Sequence, residues 1–245
     1  MGLVVAKQVP GTEPAQDMDI LTLLEDAKIE CQTSPNKYFI PRDHLENIVN
    51  IENVRRELKT LFPSLTATKL NQYIATIFHP SRTATGVFVT VLWTRKESIL
   101  EVLDEGITDS DLTLERQYLR THPGVFNRPF VLFCQRGHDQ YRHCKDPKHV
   151  KCKVTTVKAM SEWTPRQIQE FDAIQWRVKS PVFEKLPDGE IPHYNIHPNI
   201  VMPYVEDHEY KDRLEAGGYG EVWPVVIHPA HQSVYKRGNL KVGIS

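Results

Sequence analysis

Apolar residues recur at three- and four-residue intervals through much of the first half of the chain, the spacing that turns one face of a helix toward a core. Ile20, Leu21, Leu24 and Ala27 predict a helix within 19–31, stopped by Ser34, Pro35 and Asn36. Leu45, Ile48 and Val49 place a second within 41–50, and Val54, Leu58 and Leu61 a third within 53–62. Ser64 is positioned to cap a fourth through Leu70, Ile74, Ile77 and Phe78, which Pro80 ends. The next stretch, 83–93, carries Val87, Phe88, Val89, Val91, Leu92 and Trp93, a run that propensity alone assigns to a strand. Its setting favours a buried helix instead: helical periods lie on both sides, and Gly106 offers a left-handed stop after Ile99, Leu100, Val102 and Leu103.

Further on, Thr164, Pro165 and Gln167 combine an N-cap, a first-turn proline and a capping-box partner, so a helix is predicted from there to about Val178. Ile168, Phe171, Ile174 and Val178 give it an apolar face. Leu186 to Gly189 has turn chemistry, and the prolines of 191–204 predict an extended connector. The pattern then changes. Leu214-Glu215-Ala216-Gly217-Gly218-Tyr219-Gly220-Glu221-Val222 runs into apolar Trp223 to Ile227, which predicts a strand, a tight glycine turn and a second strand.

These residues resemble the phosphate-binding loop of protein kinases, with Gly217, Gly220 and Val222 at the second, third and valine positions and Tyr219 at the tip beside Gly218. The flanks 201–207 and 226–231 are similar to the first two strands of kinase-like proteins common in fungi. Phe171, Gln175, Trp176, Pro181, Val182 and Phe183 reproduce an aromatic-Gln-Trp-Pro-x-Phe signature that precedes the kinase-like domain in that group. What the resemblance implies is a nucleotide-binding remnant at Gly217, Gly218, Tyr219, Gly220 and Val222, with ATP and magnesium as cofactors only of a full-length kinase. Two residues depart from it. Glu215 stands at the first glycine position and adds charge beside the phosphate track, and Pro224 removes a ladder donor from the second strand. Neither an H-R-D nor a D-F-G motif occurs. Lys236 and Lys241 stand where a strand lysine is wanted, but a solvated tail accounts for both, and no catalytic residue is assigned.

Composition narrows the partners. Lys and Arg number 30 against 31 for Asp and Glu, a formal charge of −1, which gives no electrostatic footprint for nucleic acid or an anionic membrane. A protein partner is expected. No apolar run approaches the ~18 residues of a membrane helix, and the start of the chain is too short in apolar residues for a signal peptide, so a cytoplasmic or nuclear location is expected. Cys31, Cys134, Cys144 and Cys152 are too few for a disulfide framework and are expected to be reduced thiols. Cys134, His138, His143, Cys144, His149 and Cys152 are ligand types, yet they lack C-x-x-C spacing and alternate with basic residues. An exposed basic loop without metal is the expected reading.

The expected fold is thus mainly α: a tail at 1–16, a helical domain at 17–118, a helix-containing region and connector at 119–200, and a truncated kinase-like hairpin and tail at 201–245. The expected function is that of a non-catalytic interaction or regulatory fragment of a kinase-like protein. The alternative is the N-terminal part of a genuine ATP-dependent Ser/Thr kinase.

Overall fold

The computed structural model describes residues 18–116, 130–132, 155–185, 194, 196–205, 215–217, 220–233 and 241–244. Helices dominate them: α1 (Ile20–Asp26), α2 (Arg42–Ile48), α3 (Ile51–Leu61), α4 (Ala67–Ile77), α5 (Thr85–Arg95), α6 (Ile99–Asp104) and α7 (Pro165–Val178). The expected tail at 1–16 and the Cys/His stretch from Cys134 to Cys152 lie outside the described residues.

The centre of the helical part is α5. Every residue from Gly86 to Leu92 is buried, so its β-branched sequence serves a helix with no solvent face in that span. Its own N-cap, Ala84, has no side chain able to bond the first amides. Asp109 supplies the cap from another segment, its Oδ1 accepting from the Val87 N–H at 2.9 Å. Lys179 closes the arrangement by donating from Nζ to the Asp109 carbonyl at 2.7 Å. Burial pushes the Asp109 carboxyl up and the Lys179 amine down, each opposed by the other's charge. Gly86 permits this approach, since a Cβ there would stand 3.1 Å from Asp109 Oδ1 and 3.3 Å from Leu112 Cδ1. The expected stop at Gly106 is present, with φ of +77°.

The segment expected to form a separate second region shares this core. Trp163, Ile168 and Phe171 belong to the same apolar cluster as Ile20, Leu58, Ile77 and Phe88, so the boundary drawn at 118 does not separate two cores. Phe171 meets Trp163 edge-on at 5.6 Å, and Trp163 Nε1 donates to Ser98 Oγ at 3.2 Å. α7 opens with the capping box its sequence predicts: Thr164 Oγ1 accepts from the Gln167 N–H, and Gln167 Oε1 accepts from the Thr164 N–H at 2.9 Å. Thr164→Ala is expected to lower stability by about 1 kcal/mol. An unchanged urea midpoint and slope would refute it.

Two expected boundaries move. α1 ends at Asp26, and Ile29–Glu30 instead forms β1, antiparallel to β2 (Tyr38–Phe39). Ser34, Pro35 and Asn36 are therefore the turn of a hairpin, with Asn36 at φ +65°, where asparagine is tolerated. The cap of α4 is Thr66, whose Oγ1 accepts from the Lys69 N–H, while the chain around Ser64 is drawn into a turn by the Leu65 N–H bonding the Phe62 carbonyl.

The remaining strands form two sheets. β3 (Glu115–Arg116), β4 (Phe130–Leu132) and β5 (Thr155–Thr156) pair in sequence order. β6 (Tyr204–Val205), β7 (Glu215–Gly217), β8 (Gly220–Ile227) and β9 (Lys241–Ile244) form the other, with β8 bonded to all three others. A second apolar cluster joins it to the N-terminal hairpin: Cys31 and Phe39 pack with Val201, Tyr204, Val225 and Ile227. Cys31 is a buried free thiol.

Candidate functional site

The glycine stretch forms the two expected strands. β7 and β8 pair antiparallel with Gly217 opposite Gly220 and Glu215 opposite Val222. Two residues, Gly218 and Tyr219, separate Gly217 from Gly220 in sequence. Gly218 and Tyr219 lie outside the described residues.

β8 continues through Pro224, although proline brings no ladder donor. Pro224 falls within 223–225, where neither β6 nor β7 provides a partner: β7 reaches Val222, and β6 pairs only from Val226 onward. On the other side it faces Gly243 of β9. A residue without an N–H is accommodated where one edge carries no ladder among the described residues. Nine residues, 206–214, separate β6 from β7 in sequence and lie outside the described residues. Val226 pairs with both Val205 and Lys241, which puts β6 and β9 on opposite edges of β8. Lys241 is thus the first residue of a strand and not part of a tail; Lys236 lies outside the described residues.

Behind the sheet, the chain is tied to the helices by His231, at the end of a 3-10 turn that follows β8. Its Nε2 lies 3.0 Å from the Arg42 amide nitrogen, and its Nδ1 lies 3.0 Å from the Pro181 carbonyl oxygen. An amide N–H can only donate, so Nε2 is the acceptor and the proton sits on Nδ1, donating to Pro181. The imidazole therefore caps α2, whose own N-cap Pro41 offers no side-chain bond. Burial pushes the His231 pKa below its ordinary value, as does the nearby His228; Asp43 and the Pro181 carbonyl oppose this. His228 is lowered as well, by burial first and then by His44, against Asp43.

Several residues of the aromatic-Gln-Trp-Pro-x-Phe signature act as structural ties. Gln175 is fully buried, with Oε1 accepting from the Leu114 N–H at 2.8 Å and Nε2 donating to the Leu114 carbonyl at 3.0 Å and to Asp172 Oδ1 at 2.9 Å. It bonds a piece of chain as a neighbouring strand would. Trp176 stacks on His197 at 4.3 Å, and Phe183 meets Tyr194 edge-on at 5.1 Å. The Phe183 N–H donates to the His231 carbonyl at 2.8 Å. Sequence reasoning singled out none of Asp109, Lys179 and His231. Each bonds backbone far away in sequence, which leaves no local spacing to read.

Among the described residues no group of three or more His, Cys, Asp or Glu is placed to hold a metal ion, and no helix is long and apolar enough to cross a membrane. Comparison of the chain with protein-family models, with curated proteins and with solved structures gave no match.

Proposed function

We propose that this chain is a non-catalytic interaction or regulatory module, related to protein kinases and carrying a degenerate glycine-rich hairpin. The observation that carries the reading is where the buried polar chemistry goes. Asp109 caps α5, Lys179 bonds the Asp109 carbonyl, Gln175 bonds Leu114, and His231 joins Arg42 to Pro181. All four maintain the scaffold, whereas phosphoryl transfer needs charged groups aimed at a nucleotide and its metal. The antiparallel pairing of the two strands that flank Gly218 and Tyr219 in sequence supports the kinase relationship, and Glu215 in place of the first glycine supports degeneracy.

One observation favours the alternative, that the chain is the opening of a genuine ATP-dependent Ser/Thr kinase. Lys241 opens β9, which lies antiparallel to the strand after the glycine turn, and a kinase carries its phosphate-pairing lysine on that next strand. Calorimetric titration with ATP and magnesium separates the readings. No saturable heat is expected at sub-millimolar ligand, and Glu215→Gly is expected to create no kinase activity. A saturable isotherm abolished by Gly217→Val would overturn the non-catalytic module and favour the alternative.

A further inference from the structure

A cleft of about 320 Å³ lies between the turn joining β1 to β2 and the C-terminal half of α7. That volume is near the lower bound for small-molecule pockets. Gln169, Asp172, Ala173, Trp176 and Arg177 form one stripe of α7 at helical spacing and make one wall. Asn36 and Lys37 come from the hairpin turn, and Asn199 from the connector.

The lining gathers donors that the fold does not use. Lys37 and Arg177 make no ion pair, and the side-chain amides of Asn36, Gln169 and Asn199 make no hydrogen bond, among the described residues. The carboxylate in the lining, Asp172, accepts from Gln175. Lys37 and Arg177 against Asp172 leave a formal surplus of one positive charge (2 − 1 = 1). The indole of Trp176 is held against His197 and is 6% exposed, giving the cleft a rigid aromatic side. A carboxylate has two oxygens to satisfy, which a single guanidinium can serve; two cations with three amides suit a group with three terminal oxygens.

We propose that this cleft binds a phosphate monoester, borne by a small organic molecule or by a peptide side chain. None of the described residues of the glycine hairpin lines it, so the proposal stands whether or not the kinase relationship holds. The probe is phenyl phosphate added to ¹⁵N-labelled protein, followed at the Trp176 indole and the Arg177 guanidinium. Saturable shifts are expected with phenyl phosphate and not with phenol, weakening as salt is added. Arg177→Gln and Lys37→Gln are each expected to weaken binding about tenfold. Lys37 is exposed on a turn, so its variant tests the site if Arg177→Gln fails to fold. Tighter binding of a phosphoserine tripeptide than of phenyl phosphate assigns the site to a peptide; equal or weaker binding assigns it to a free ester. No saturable shift, an equal response to phenol, or undiminished binding in Lys37→Gln would overturn the proposal.

Discussion

Gln175→Leu is expected to cost about 2–5 kcal/mol of unfolding free energy, although it keeps the side chain's size. Leu114 is 1% exposed, and both its backbone groups are bonded by the Gln175 carboxamide. Replacing that carboxamide with an isobutyl group leaves a buried N–H and a buried C=O without partners, and each orphaned group costs about 1–3 kcal/mol. Disruption of the Arg166–Glu170 pair gives the contrast. The Arg166 side chain is 88% exposed, so solvent screens the pair and Arg166→Ala is expected to leave the unfolding midpoint essentially unchanged despite an ion pair at 2.8 Å. Urea denaturation of the two variants checks both. A Gln175→Leu effect no larger than that of Arg166→Ala would show that Leu114 finds other partners.

Stability is expected to fall as pH drops below about 6.5, with His231 as a principal cause. Its pKa is lowered in the folded chain, so between the folded and unfolded values the unfolded chain binds more protons. The stabilisation is therefore complete above the unfolded value and is lost as pH falls from it through the folded one. The geometry explains why: a proton on Nε2 would face the Arg42 N–H, turning an acceptor into a second donor. His228, also lowered, adds to the same slope. His231→Phe retains a ring against Phe39, which it meets edge-on at 5.4 Å, but removes both hydrogen bonds. It is expected to cost about 1–3 kcal/mol at neutral pH and to reduce the pH slope. Thermal melts of both proteins from pH 7.5 to 5 check it, and parallel curves would exclude His231 as the titrating group.

The helical part was largely legible because helices announce themselves locally. Thr164, Pro165 and Gln167 lie within one turn and act on one another, and Gly106 stops the chain where it stands. α5 was legible only from context: Val87, Phe88, Val89, Val91 and Leu92 favour a strand by propensity, and burial on every side removes the polar face that would have marked a helix. The N-terminal hairpin was not legible. Ile29 falls within the span expected for the first helix, yet it packs with the second cluster, most of whose members lie beyond residue 200. For the glycine stretch the sequence conveyed the two strands, but not that neither β6 nor β7 would pair with Pro224, because this depends on register between strands separated in sequence.

The bond from Arg42 to His231 spans 189 residues, and Gln32 reaches across a similar distance to the Tyr204 carbonyl. Closing a loop of that length in a free chain forfeits about 4–5 kcal/mol of conformational entropy. Prior formation of the helices would shorten the loop, since the end of α7 is bonded to Ile40, next to α2, through the Arg177 carbonyl. Assembly in that order spreads the entropic cost over steps that each gain contacts. The hairpin of β1 and β2, early in the sequence, is then among the last pieces to be completed, because the residues that cover Phe39 arrive only with β6 and β8.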